Sequence, residues 1–385
     1  MSGDVRSAPV VVIGSGCIGA AIAYHLGLRG VKGVVVLERE LQSGAGSTGK
    51  CAGGIRQQFS TAVNVRLAQQ SVKAFETFAR DMETGETFWP VGYLFLLSDE
   101  AQWRAFQAQA EFQRSLGVPT RTLAPADALA LVPELNLDGV LGATFCPTDG
   151  LGDPHMITHG FESQARARGA KFLFGVEATG LVMDGGRVAG VRTSQGEIAT
   201  PMVVNAAGAW AARVAAWAGV ELPVAPYRRH CFTTAPLPFV RDTLPMIVDM
   251  KSGVYMHRES GGLLLGLADR NEPPSFDQSV NWDFLESVVE PAMTRIPALE
   301  AAEINNAWAG LYETTPDHNA ILGPPEGVAG LMLANGFSGH GFMMAPAVGR
   351  QLAEWIVDGR PSLDLSDLAL ERFRTQRTLA EANVI

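Results

Sequence analysis

An unbroken apolar run, Val10-Val11-Val12-Ile13, stops at Gly14, and an alanine-rich pattern at helical spacing follows it. A second apolar run then leads to Glu38. This predicts a strand, a tight turn, a helix and a second strand within the first forty residues. Residues 61–80 and 99–116 carry helical periodicity, and Gly92 to Leu97 between them forms a buried-strand pattern. Residues 152–169 predict another helix, leading through Lys171-Phe172-Leu173-Phe174 into a β-meander. Its turn signals are Asp184-Gly185-Gly186 and Ser194-Gln195-Gly196. Met202 to Asn205 reads as a strand running into Ala206-Ala207-Gly208-Ala209-Trp210 and a helix through Ala218. From Leu222 to Pro274 prolines and short apolar runs predict an antiparallel sheet. A last apolar strand, Leu331 to Asn335, meets Gly336-Phe337-Ser338-Gly339-His340-Gly341 and opens a helix through Ile356. There is no internal repeat and no low-complexity linker, so two domains that cross over several times are expected.

The first junction carries recognisable chemistry. Gly14 permits a tight turn, Gly16 lets backbone approach a pyrophosphate, and Gly19 lets helix pack close to strand. The helix N-terminus, opened by Cys17 and Ile18, offers unpaired N–H groups to phosphates, and Glu38 can accept from ribose hydroxyls. Strand, glycines, helix and terminal acid in this order point to a bound dinucleotide; the alternative is a glycine-rich turn serving packing alone.

The following residues bear on which dinucleotide. After Glu38-Arg39 come Gly44 to Lys50, which include Ser47 and Thr48, and then Gly53-Gly54-Ile55-Arg56-Gln57-Gln58-Phe59. A nicotinamide enzyme would ordinarily continue into another βαβ unit here. A flexible, hydroxyl- and glycine-rich segment instead suits backbone wrapped around a long flavin dinucleotide, although a solvated Gly/Ser loop has the same composition. Val176 at the head of the meander and Ala207, Gly208 and Trp210 at the middle junction are further cofactor-binding candidates. At the last junction Gly336, Phe337, Ser338, Gly339, His340 and Gly341 would bring backbone N–H groups and a positive helix end toward a ligand. A structural strand–turn–helix reads the same way.

Composition sets outer limits. The 385 residues are 47% hydrophobic and 18% charged, enough for two cores. A formal charge of −10 without basic clusters argues against nucleic-acid and anionic-membrane partners. No apolar run is long enough to span a bilayer, and the N-terminus does not read as a signal peptide. Cys17, Cys51, Cys146 and Cys231 lack zinc-like or CxxC spacing, which predicts reduced thiols in a cytoplasm. No metal site is expected: His155 and His159 form the single i,i+4 histidine pair and lack a nearby third ligand.

Taken together, VVVIGSGCIG with Glu38-Arg39, NAAGAW at 205–210 and GFSGHG at 336–341 resemble the FAD-dependent D-amino acid oxidase superfamily over essentially the whole chain. GGIRQQF at 53–59 and TTPDHNAILG at 314–323 look like its sarcosine oxidase and L-proline dehydrogenase β-subunit branch. GIRQQF is also similar to a mitochondrial FAD-dependent oxidoreductase involved in complex I assembly. The resemblance implies an α/β fold, with a Rossmann-like FAD-binding domain of glutathione-reductase type interleaved with an α+β substrate domain whose antiparallel sheet roofs the flavin. The expected division is 1–80, 146–221 and 315–385 for FAD, with 81–145 and 222–314 for substrate.

The implied reaction is oxidation of a small amino acid or secondary amine by hydride transfer from the α-carbon to flavin N5, giving an imine. Arg56 matches the carboxylate-binding arginine of monomeric sarcosine oxidase; a surface or structural arginine is the alternative. Tyr255 and Tyr312 could face substrate over the flavin, or serve as core packing. Tyr312 stands where glycine and D-amino acid oxidases place their carboxylate arginine. Gly310 replaces the cysteine, and Lys50 the histidine, that carry covalent flavin in relatives, so FAD is expected to be noncovalent. Leu264 and Met343 replace two active-site lysines, one of which assists oxygen activation, so the acceptor is either O2 or a quinone or other electron carrier. His257 and His340 are weaker candidates, and no residue clearly serves as general base. A flavin-bearing assembly protein and a nicotinamide-dependent dehydrogenase stay open as other classes. So do an additional subunit or homo-oligomer, and a location peripheral to a membrane electron-transfer chain.

Overall fold

The computed structural model describes residues 5–376 and 378–383. Its organising element is a six-stranded sheet in the spatial order Ile321–Gly323, Leu331–Asn335, Val203–Asn205, Val11–Ile13, Val35–Glu38, Lys171–Phe174. Five of these strands are parallel; Ile321–Gly323 runs antiparallel at one edge. The apolar runs of the sequence are unbroken because both faces of this sheet are covered, as parallel sheets require. Val10, Val12, Val34, Val36 and Val204 point to a core shared with the helices Cys17–Leu28, Ala62–Glu76 and Gly341–Asp358. Val11, Ile13, Val35, Leu37 and Val203 point the other way, onto Leu181, Val188, Val191 and Ile198 of the meander and Val214 of the helix Ala211–Ala216. The meander is a three-stranded antiparallel sheet, Ala178–Asp184, Arg187–Thr193 and Gly196–Ala199. Gly185, Gly186 and Gly196 take positive φ at its two turns.

A second, eight-stranded sheet has the order Ile304–Thr314, Ala225–Thr234, Gly262–Leu267, Tyr255–Glu259, Met246–Asp249, Tyr93–Leu97, Gly142–Cys146, Arg121–Leu123. Its strands between Leu222 and Pro274 pair antiparallel with one another, as expected from sequence, while Met246–Asp249 also runs parallel to the earlier strand Tyr93–Leu97. The long chain excursion between these strands supplies the crossover that a parallel pair needs and a hairpin cannot give. Its strands are not all short, since Ala225–Thr234 spans ten residues and pairs with Ile304–Thr314 along its whole length. The helix expected over 61–80 breaks at Thr77 into Ala62–Glu76 and Phe78–Met82. The helix expected through Ala218 is a short 3-10 turn, Gly208–Trp210, followed by Ala211–Ala216. Among the described residues no helix is long and apolar enough to cross a membrane.

Candidate functional site

A cavity of about 780 Å³ opens at the C-terminal ends of the parallel strands, where Ile13, Leu37, Ala206 and Ala334 contribute to its wall. Ligands of open parallel sheets sit at this edge because helix N-termini and strand-to-helix turns converge there.

The first turn is built by close approach. Gly14 holds φ +105°, and a Cβ on it would stand 2.3 Å from the Ala206 carbonyl oxygen. A Cβ at Gly19 would stand 2.0 Å from the Gly14 carbonyl oxygen, so the helix can lie on the turn only with glycine there. The segment expected to be flexible is tied down. Gly44 N–H donates to the Ser15 carbonyl at 3.1 Å, Cys17 N–H donates to Thr48 Oγ1 at 3.2 Å, and Ser47 Oγ donates to the Leu311 carbonyl at 2.7 Å. These bonds hold Ser47, Thr48 and Lys50 as a cavity wall facing Gly14, Gly16, Cys17 and Ile18.

Glu38 is fixed at the end of its strand. Its Oε2 accepts from Ser15 N–H and Ser15 Oγ, both at 3.0 Å, and its Oε1 accepts from Glu40 N–H at 3.0 Å. Beside it the Arg39 guanidinium lies 3.6 Å from the centroid of the Trp210 ring. Arg39, Val176, Ala207, Gly208 and Trp210 share this part of the cavity. An acid at the strand end, a glycine-lined turn and an aromatic–guanidinium stack suit the ribose, pyrophosphate and adenine of a dinucleotide.

The eight-stranded sheet supplies another wall. Cys231, Tyr255, Gly310 and Tyr312 reach the cavity from three of its strands. The Tyr255 ring lies over Gly266, where a Cβ would come within 2.1 Å of it, and its hydroxyl is 3.8 Å from Cys231 Sγ. Burial holds the Tyr255 and Tyr312 phenols well above their ordinary range, so both are neutral donors at any working pH. Burial also raises the thiols that line the cavity: Cys17 to about 11, Cys231 to about 12, and Cys51 further.

Gly339, Gly341, Phe337 and Phe342 complete the wall at the start of the helix Gly341–Asp358. Their neighbours in the GFSGHG segment face elsewhere. A Cβ at Gly336 would meet Thr315 Cγ2 at 2.4 Å, and Ser338 Oγ accepts from Thr315 N–H at 3.2 Å. Gly53 likewise abuts the Gly152 carbonyl rather than the cavity.

His340 is buried and turned toward Arg56. Burial, followed by the positive charge of Arg56, holds its pKa well below the ordinary value, so the ring is neutral. Its Nε2 accepts from Arg56 Nη2 at 3.0 Å, because a guanidinium can only donate. The Arg56 side chain is itself fully buried. Nη1 donates to the Gln58 carbonyl at 2.5 Å, Nη2 also donates to the Asn383 carbonyl, and the guanidinium lies 4.2 Å from the Phe59 centroid. Arg56 is not among the residues lining the cavity; its Nη donors go to the Gln58 and Asn383 carbonyls and to His340, and its Nε is buried without a partner. His257 is buried as well, with Nδ1 on the Arg258 carbonyl at 2.6 Å.

The cavity includes side chains that the sequence pattern did not single out. Arg229 and Glu313 are the most consequential. Burial raises the Glu313 carboxyl to about 7, offset in part by backbone N–H groups of Phe337 and Gly336, and its Oε2 is buried without a partner. Both residues sit on long strands. A charged residue within such a strand, facing inward, is the signal that could have marked them.

The chain belongs to a family of FAD dependent oxidoreductases, whose model matches residues 9–355. Its cofactor is therefore FAD, and the dinucleotide cradle just described fits it. The chain is 36% identical to L-proline dehydrogenase from P. horikoshii, covering 98% of this chain and 100% of that one, with a TM-score of 0.92. Glycine oxidase from Geobacillus kaustophilus is similar at 27% identity and a TM-score of 0.85, covering 96% of this chain and 99% of that one. Mitochondrial sarcosine dehydrogenase of Mus musculus is 32% identical over 97% of this chain, and the chain spans only 42% of that protein's length.

Proposed function

We propose that the protein oxidises a small amino acid or secondary amine, of the size of proline, sarcosine or glycine, with FAD held noncovalently in the cavity. One observation carries this reading: the glycine-cradled turn with Glu38 opens into the same cavity as the phenols of Tyr255 and Tyr312. Cofactor-binding groups and a set of neutral donors for a small polar molecule therefore share one cavity. The similarities to L-proline dehydrogenase, glycine oxidase and sarcosine dehydrogenase support the same substrate class.

Gly14, Gly16, Cys17 and Ile18 with Thr48 would hold the pyrophosphate, Glu38 the ribose, and Arg39 with Trp210 the adenine. Gly310, Gly339 and Gly341 line the cavity beside Tyr312, where the ring system of FAD would lie. Bound FAD supplies the two-electron acceptor for a hydride leaving the carbon next to nitrogen. The protein orients that carbon and keeps water away: Tyr255 and Tyr312 donate to the substrate's polar groups, and Phe337 and Phe342 supply apolar surface. The raised thiols of Cys17, Cys51 and Cys231 support noncovalent attachment, since the thiolate is the reactive form. Residues 81–145 and 222–314 are the substrate-binding part in this reading, and the rest of the chain the cofactor-binding part. Leu264 is buried beside Tyr255 and brings no cation there, which favours a quinone or another electron carrier over O2 as acceptor. Four unpaired thiols favour a reducing, cytoplasmic compartment.

Anaerobic addition of single amino acids to the yellow holoprotein tests the proposal. Bleaching of the flavin by a proline-, sarcosine- or glycine-like compound is expected. A flavin that dithionite reduces and no amino acid or amine reduces would leave a flavin-bearing assembly protein as the better reading.

A further inference from the structure

Along the strand Ala225–Thr234 side chains alternate between faces, so Arg229 and Cys231 share one of them, and both line the cavity. Arg229 pairs in register with Gly310. Its guanidinium lies 5.4 Å from the centroid of the Tyr312 ring and 5.8 Å from that of Tyr227. Of its three nitrogens only Nη1 is engaged, donating to the Arg228 carbonyl at 2.8 Å. Nε is buried and has no acceptor, and among the described residues neither a carboxylate nor any other group bonds Nη2. Nε and Nη2 form one edge of the guanidinium fork, the edge that takes both oxygens of a carboxylate side by side.

A buried donor without an acceptor is costly, and a partly buried cation without an anion more so. The other cations at the cavity are placed differently. Arg39 stacks on Trp210 and pairs with Glu40, and Arg213 lies 4.1 Å from the Phe276 centroid, next to the stacked Trp210–Phe276 pair. Lys50 Nζ is bonded to Gln278, and Arg228, adjacent on the same strand, is already paired with Glu272 and Asp277. Glu313 pairs in register with Pro226, three residues along from Arg229, and its Oε1 is directed to Phe337 N–H. Arg229 alone joins an open fork to the wall that carries Cys231, Tyr255 and Tyr312.

We propose that the Nε–Nη2 edge of Arg229 binds the carboxylate of the α-amino acid substrate, placing it beside Tyr312; this rests on the amino-acid reading of the site given above. In a chain of net charge −10, an anionic substrate needs such a local cation. Arg229 acts in binding and orientation, and the test must separate that from holding FAD.

The experiment titrates the holoprotein with pyrrole-2-carboxylate, a flat carboxylate that cannot be oxidised as an amine, and with neutral pyrrole, following the flavin absorbance. Wild type should bind the acid and discriminate against pyrrole. Arg229→Gln should weaken the acid by thirtyfold or more, about 2 kcal/mol, while leaving pyrrole binding and FAD content unchanged. Arg229→Lys should recover only part of the loss. The inference is overturned if wild type binds no carboxylate, if Arg229→Gln binds it as tightly as wild type, or if that variant loses FAD. A failure of the oxidation reading shows separately, as carboxylate binding lost in Arg229→Gln while no amino acid reduces the wild-type flavin.

Discussion

The ring of Tyr312 lies against the α-carbon of Gly339: a Cβ at Gly339 would stand 2.3 Å from Tyr312 Cε2. Gly339 also holds φ +92°, a backbone conformation that side chains disfavour. The glycine of the cofactor segment is thus required by the tyrosine of the opposite sheet. Gly339→Ala should cost about 1–3 kcal/mol from backbone strain, with the collision against Tyr312 added. A lower melting temperature and reduced FAD content are expected; a variant with both unchanged would show that the two walls do not depend on this contact.

The flavin should leave the protein on acid precipitation, with the colour in the supernatant. Three of the four thiols line the cavity, but burial keeps all three protonated at neutral pH. Yellow colour retained in the washed pellet would refute noncovalent binding and direct attention to Cys51, which is only half-buried.

Glu313 should make the apoprotein less stable as pH rises. Its folded pKa is raised from 4.5 to about 7, so the native state holds a proton that the unfolded chain has released. The stabilising contribution is complete below pH 4.5 and is lost through pH 7. The linkage is at most about 3 kcal/mol, less where water in the cavity screens the charge. Asp149, raised to about 6 by burial, adds in the same direction. Melting curves from pH 5 to 8 should therefore fall less steeply for Glu313→Gln than for wild type. Parallel curves would mean that Glu313 is ionised throughout.

Arg56→Ala should act first on stability. It takes the arginine donor away from the Asn383 carbonyl and from His340 Nε2, and leaves the Gln58 carbonyl only Asn383 Nδ2, a cost of about 2–4 kcal/mol. It should also make the 378–383 segment more susceptible to protease, because Asn383 loses one of its ties to the 56–60 region. Arg56→Lys should recover part, since an ammonium cannot serve all three acceptors in one plane. Normal stability with a large loss of carboxylate binding would instead make Arg56 the substrate's partner, the role its sequence resemblance implies.

By itself the sequence determined the scaffold of the site. Val10 to Ile13, Gly14, Gly16, Gly19 and Glu38 are consecutive in one strand–turn–helix–strand unit, and local physics suffices there: φ +105° and a 2.0 Å approach admit only glycine. The meander and the last strand-to-helix junction were legible for the same reason, since turn chemistry and apolar periodicity are short-range signals. Tertiary structure decided the rest. The parallel pairing of Met246–Asp249 with Tyr93–Leu97 joins residues about 150 apart, and nothing local in either strand specifies its partner. In the sequence Arg56 reads as a carboxylate ligand by resemblance or as a surface or structural arginine; the packing of His340 and Asn383 against it directs its donors away from the cavity. Arg229 stands in a run of polar strand residues indistinguishable from its neighbour Arg228 until Glu272 and Asp277 claim one and leave the other open. Which of two adjacent arginines meets a ligand is set by where distant carboxylates fold, and that is a property of the assembled protein.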